Sequence, residues 1–144
     1  MSDILVAVDG SKHSERVVDM AVELAKATSS SLLFAYVAPK LAVPEEYIKN
    51  TDEEEPSTDD YYREFSERIF GNLGARASKK GVKVEKIFGT GNPTEFILDK
   101  AKSRKVSMIV LGVEGLHNLG KVRALGSTSR RIIENATVPV VAVP

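Results

Sequence analysis

Hydrophobic positions along the chain fall into two alternating kinds of run. Ile4, Leu5, Val6, Ala7 and Val8 form a short apolar stretch closed by Asp9, Gly10 and Ser11. A stretch of that length, bounded by turn residues, predicts a buried strand. Over residues 14–28 the pattern changes: Val17, Val18, Ala21, Leu24, Ala25 and Thr28 recur every three or four positions, with Glu15, Arg16, Asp19, Glu23 and Lys26 between them. That is the stripe of an amphipathic helix, with Ser11 or Ser14 as its cap. Ser29, Ser30 and Ser31 break the period, and the apolar run over 32–37 predicts a second buried strand, completing a βαβ unit.

The alternation continues to the end of the chain. A long helix is predicted over 60–80, with Tyr61, Phe65, Ile69, Leu73 and Ala77 on one face and Gly81 as its stop. Val82, Val84, Ile87 and Phe88 read as a third strand. Asn92 or Thr94 opens a third helix through Lys105, whose apolar stripe is Phe96, Ile97 and Ala101. A fourth strand over 106–111, a glycine-rich loop over 112–125, a fourth helix over 127–135 and a fifth strand over 138–143 follow. Strands that alternate with helices and carry continuous Val, Ile and Leu runs predict a parallel sheet covered on both faces, a three-layer α/β/α fold. Residues 1–144 read as a single domain, in which 38–58, with three prolines and a cluster of acids, is a long exposed connection. In such sheets ligands sit beyond the carboxyl ends of the strands. Asp9, Val37 and the loop after Leu111 are therefore expected around one crevice.

Composition narrows the classes. There is no cysteine, which excludes disulfides, Cys-ligated metals and Cys nucleophiles. His13 and His117 are the only histidines, too few for a His-based metal cage. No apolar run approaches the roughly 18 residues of a membrane span, and the sequence passes directly into Ile4 without a signal-peptide pattern, so a cytoplasmic location is expected. Twenty basic and twenty acidic side chains give a net charge of zero, which recommends neither nucleic acid nor an anionic membrane as partner. The zero sum hides two poles. Six acids lie within residues 52–60, whereas from 115 to 133 there is no acid and four positive charges, Lys121, Arg123, Arg130 and Arg131.

The basic stretch coincides with the glycines. Gly112 and Gly115 leave the fourth strand, and Gly126, Ser127, Thr128 and Ser129 open the last helix. Glycine lets backbone approach a ligand closely, and a helix N-terminus offers free N–H groups and a positive dipole end to phosphate, to which Ser127, Thr128 and Ser129 add hydroxyl donors. The competing reading is an ordinary loop with a Ser cap; the local positive charge favours an anion site. Residues 115–122 match G-x-x-x-x-G-K but place Val122 where a P-loop needs Ser or Thr. Gly89, Thr90 and Gly91 fail G-x-G-x-x-G at Thr94. A Ser-His-acid group of Ser127, His117 and Asp9 or Glu114 lacks the nucleophile elbow, and Asp9 at a strand end also suits a turn cap.

Taken together, the opening run ending in Asp9, Gly10 and Ser11, the Gly91-Asn92-Pro93 segment, Val110-Leu111-Gly112, and Gly126-Ser127 followed by Val138-Pro139-Val140-Val141-Ala142-Val143 resemble the universal stress protein family of the UspA type over essentially the whole chain. The resemblance implies a five-stranded parallel sheet of order 3-2-1-4-5. In the nucleotide-binding branch it also implies an ATP site on a G-x2-G-x9-G-[ST] motif. Asp9 and the backbone at Val37 would then meet ribose and adenine, while Gly112, Gly115, Gly126, Ser127 and Thr128 would hold phosphates. AMP or ADP would serve as well as ATP, with magnesium an optional companion. Two departures stand out: ten residues instead of nine separate Gly115 from Gly126, with Gly120 as the extra glycine that absorbs the insertion, and Glu114 sits between the first two glycines.

A carboxylate within about 6 Å of a phosphate charge would cost roughly 3 kcal/mol at an effective dielectric of 20. An outward-pointing Glu114 or the nearby basic residues would offset it. The last strand bears on assembly, because Val138, Val140, Val141, Ala142 and Val143 make both faces apolar and an unpaired apolar edge strand invites association. The resemblance implies a homodimer paired through 138–143. The leading expectation is a homodimeric stress protein that binds an adenine nucleotide as a regulatory ligand, with slow or no turnover, and acts on a protein partner. The alternatives are a nucleotide-free interaction module of the same fold and a weak ATP hydrolase or phosphotransferase.

Overall fold

The computed structural model describes the backbone at residues 3–38, 58–119 and 122–144, and side chains over the same ranges except 58–62, 114–119 and 122–124. The acidic connection expected over 38–58 lies, apart from its two ends, outside the described residues. So do Gly120 and Lys121, and so do the side chains of Glu114, His117 and Arg123.

The elements are β1 (Asp3–Ala7), α1 (His13–Thr28), β2 (Ser31–Ala38), α2 (Thr58–Ser78), β3 (Val84–Thr90), α3 (Pro93–Ser103), β4 (Met108–Gly112), β5 (Glu114–Leu119), β6 (Val122–Leu125), α4 (Ser127–Asn135) and β7 (Val140–Val143). Five strands form one sheet in the order β3-β2-β1-β4-β7, every pairing parallel. This is the three-layer fold and the 3-2-1-4-5 order expected from the sequence. β1 lies at the centre, with Ile4, Leu5 and Val6 fully buried. Its pleat explains the unbroken apolar run: Ile4 and Val6 join the core under α1 and α2 with Phe34 and Val110, while Leu5 joins Leu33, Ile109, Ile97 and Ile132 under α3 and α4. Burying each such side chain stabilises the fold by about 2 kcal/mol.

Four local expectations are corrected. Residues 112–125 do not form a plain loop: β5 and β6 pair antiparallel, with Glu114 opposite Leu125 and Leu119 opposite Val122. Backbone pairing needs no apolar run, so sequence patterning gives such a hairpin little signal. Neither Ser11 nor Ser14 caps α1. Lys12 holds the cap position without a side-chain bond, and Ser14 is turned to Asp9. Along α2 the buried side is Ser66, Phe70, Leu73 and Ala77, and Phe65 is exposed. A strict four-residue spacing drifts about 40° per step around a helix of 3.6 residues per turn, so the expected stripe leaves the core toward its N-terminal end. β7 begins at Val140 and not at Val138. The Pro139 carbonyl accepts from Ile109 N at 3.0 Å, but proline has no N–H with which to extend the ladder.

The two sheet edges differ in character. β3 carries exposed Glu85 and Lys86, and Glu85 pairs with Arg104. β7 carries only Val140, Val141, Ala142 and Val143.

Candidate functional site

β1 and β4 are neighbours in the sheet, yet the chain leaves β1 toward β2 on one side and leaves β4 toward β7 on the other. That reversal opens a crevice beyond the carboxyl ends of the strands. A cavity of about 290 Å³ occupies it, near the lower end of the range usual for small-molecule sites. Six of the seven residues singled out from the sequence line it: Asp9, Val37, Gly112, Gly126, Ser127 and Thr128. The seventh, Gly115, belongs to β5.

Asp9 lies two residues beyond the end of β1, just before the turn into α1. Its Oδ1 accepts from Ser11 N at 2.9 Å and from the Ser14 hydroxyl at 2.9 Å, and Asp9 N donates back to Ser14 Oγ at 3.3 Å. The turn needs Gly10 at φ +81°, a conformation costly for residues with a Cβ. Partial burial raises the Asp9 pKa, but the bonds from Ser11 and Ser14 outweigh it and hold the carboxyl below its ordinary value. Asp9 thus caps its turn and lines the cavity at once.

The opposite wall is the start of α4. Gly126 stands at its cap in an extended conformation, and no side chain caps it. The first-turn N–H groups, which intrahelical bonds cannot satisfy, belong to Ser127, Thr128 and Ser129 at the cavity. The Ser129 hydroxyl, expected as a further phosphate donor, instead donates to the Gly112 carbonyl at 2.8 Å, tying α4 to the end of β4.

Gly112 is constrained from the other side as well. A Cβ there would stand 2.7 Å from His13 Cδ2. His13 therefore belongs to the site, as do Ser14 and Pro93. Sequence reasoning counted His13 only as one of too few metal ligands. The signal that would have found it is its place four residues after Asp9, on the first turn of the helix that follows. Pro93 is the first residue of α3, whose cap Asn92 accepts from Glu95 N at 3.2 Å. Among the described residues no group of three or more His, Asp or Glu side chains converges as a metal site, and no helix is long and apolar enough to cross a membrane.

Residues 1–144 match the sequence model of the universal stress protein family. The chain belongs to that family. This universal stress protein is similar to the universal stress protein YxiE of Bacillus subtilis (strain 168), with 33% identity over 151 aligned residues and 97% of each chain covered. Among solved structures it resembles a universal stress protein in complex with cAMP, at TM-score 0.72 and 22% identity over 99% of this chain and 97% of that one. It also resembles the universal stress protein from Archaeoglobus fulgidus in complex with dAMP, at TM-score 0.71 and 20% identity over 100% and 98%. Identities this low speak for a shared fold.

Proposed function

We propose that this universal stress protein binds an adenine nucleotide in the cavity between β1, β4 and α4 and acts as a nucleotide-responsive regulatory protein. The observation that carries this reading is the convergence of Asp9, Val37, Gly112, Gly126, Ser127 and Thr128 on one cavity in a fold whose solved relatives include complexes with cAMP and dAMP. Asp9 and the chain at Val37 would receive ribose and base, and the uncapped first turn of α4 would receive phosphate. Gly115 would close over the phosphate from the hairpin. AMP, ADP and ATP share the groups that these residues recognise, and magnesium would accompany only the longer phosphate chains.

Regulation without turnover fits the carboxylate chemistry. Asp9, the one acid lining the cavity among the described residues, is engaged by Ser11 and Ser14 and is kept ionised, which suits an acceptor for ribose hydroxyls better than a proton shuttle. We further infer that two copies pair through β7, the apolar sheet edge, and that the dimer presents its nucleotide state to a protein partner in the cytoplasm.

The test is mass spectrometry of small molecules released from freshly purified protein, together with thermal shifts. Near-stoichiometric adenine nucleotide, or a raised Tm in millimolar AMP, ADP or ATP, is expected. Protein that releases none and shows no shift with any of the three would instead be an interaction module of the same fold.

A further inference from the structure

We infer that Ser14 and Ser129 are positioning residues of the cavity. From opposite layers of the fold they take up the two main-chain groups that part where β1 and β4 diverge, Ser14 setting the ribose end and Ser129 the phosphate end. The inference rests on the adenine-nucleotide reading and adds to it two hydroxyls that act through Asp9 and Gly112.

The ladder identifies the two groups. In a parallel sheet the N–H and C=O of one residue turn to the same neighbouring strand, and successive residues alternate between neighbours. Val8 N donates to Ala35 of β2 at 3.0 Å, so the main chain of Asp9 turns to the β4 side. Ile109 N and Val113 N donate to Pro139 and Val143, so that of Gly112 turns to the β1 side. β1 and β4 are in register with Val6 opposite Val110. Continued in that register, the ladder would join the Asp9 N–H to the Gly112 carbonyl. Instead Asp9 N donates to Ser14 Oγ at 3.3 Å, and the Gly112 carbonyl accepts from the Ser129 hydroxyl at 2.8 Å. Each serine replaces one half of a missing rung, and the cavity opens where that rung is missing.

Both hydroxyls bond outside their own helices, Ser14 to the residue that leads out of β1 and Ser129 to the last residue of β4. α1 packs in the core of Ile4 and Val6, and α4 in that of Leu5 and Ile109, so the split is held from both faces of the sheet. The two serines and their two partners all line the cavity. Its two ends then differ in chemistry. Phosphate oxygens and a carbonyl oxygen are acceptors alike, so an ionised phosphate cannot satisfy Gly112. Without the Ser129 hydroxyl that carbonyl would stand unpaired beside the phosphate, a costly neighbour for it. At the other end Ser14 also donates to Asp9 Oδ1 at 2.9 Å. One hydroxyl therefore fixes both the main chain of Asp9 and the carboxylate that would receive the ribose.

The test titrates the natural chain and its variants with AMP and with adenosine by calorimetry. Ser129→Ala is expected to weaken AMP by about five- to tenfold, the size of one lost hydrogen bond, while adenosine changes by less than about twofold. Ser129→Thr keeps the hydroxyl and should hold AMP within about twofold of the natural chain. Ser14→Ala should weaken both probes by about fivefold, because both carry the ribose. A general loosening of the fold would lower both probes alike in every variant, and a role in stability alone would lower neither. AMP affinity unchanged in Ser129→Ala, an equal loss of adenosine in that variant, a Thr variant that behaves as Ala does, or both probes unchanged in Ser14→Ala overturns the inference. If the natural chain binds neither probe, the nucleotide reading itself fails and takes this inference with it, a result distinct from binding that ignores the serines. Should Ser129→Ala fold poorly, or adenosine bind too weakly to titrate, the crystal structure of the natural chain with AMP decides. The Ser129 hydroxyl should remain on the Gly112 carbonyl; a hydroxyl turned onto the phosphate makes Ser129 a ligand contact and refutes the assignment.

Discussion

The Ser14 hydroxyl donates to Asp9 Oδ1 at 2.9 Å while accepting from the Asp9 backbone N–H at 3.3 Å, so a buried side chain on α1 clasps the acidic residue that follows the central strand. Ser14→Ala removes both bonds and leaves two groups short of a partner. A loss of about 1–2 kcal/mol at neutral pH is expected from urea denaturation. NMR should find the Asp9 pKa raised in the variant. The sign follows from linkage: a carboxyl whose folded pKa is depressed adds stability above its unfolded value and loses it as pH falls through the folded one. The gap between natural chain and variant should therefore narrow in acid.

Gly112 and His13 should behave as one unit. Gly112→Ala forces a Cβ to within 2.7 Å of the ring and is expected to cost about 1–3 kcal/mol. His13→Ala vacates that space, so the double variant should be more stable than the sum of the singles by about 1 kcal/mol or more. Additive effects in a double-mutant cycle would mean that the ring does not dictate the glycine.

At the sheet edge, Ala142 is exposed whereas Val141 packs against the core, which makes Ala142 the cleaner probe of pairing. Ala142→Lys would bring like charges together wherever two copies of β7 meet. Light scattering should report the mass of a monomer with thermal stability close to that of a surface variant. A dimer of undiminished affinity would place the interface elsewhere.

Arg130 occupies the first turn of α4 and is exposed. Arg130→Gln should weaken AMP binding by about two- to fivefold at low salt, the size of a partly screened charge near a helix terminus. The deficit should shrink as salt rises. Equal affinity at all salt concentrations would reduce Arg130 to ordinary surface.

Much of this could be read before any coordinates. Strand and helix order followed from the switch between continuous runs such as 4–8 and spaced stripes such as 17–25, because burial on one or both sides leaves that imprint directly in the chain. Asp9, Val37, Gly126, Ser127 and Thr128 were placed by topology and family pattern alone. What escaped was contact made by long-range geometry. Nothing local to His13 announces that its ring meets a carbonyl 130 residues away. Ser129, which reads as a third phosphate donor beside Ser127 and Thr128, spends its hydroxyl on Gly112. The β5–β6 hairpin was hidden for a different reason: main-chain pairing is indifferent to the polar and glycine residues that make 114–125 look like coil.

The unlike edges of the sheet carry one more implication. At β3 the flank presents Glu85 and Lys86, with Glu85 committed to Arg104; at β7 it presents four aliphatic side chains. A head-to-tail contact would have to join the charged flank of one molecule to the aliphatic flank of the next, and repeating it would build an open filament. Pairing of β7 with its own kind would instead consume the aliphatic flank of both molecules and leave outward the β3 flanks that carry Glu85 and Lys86. If two copies pair in this way, growth would end there, whereas a head-to-tail contact would continue; the mass measured by light scattering at rising concentration separates the two.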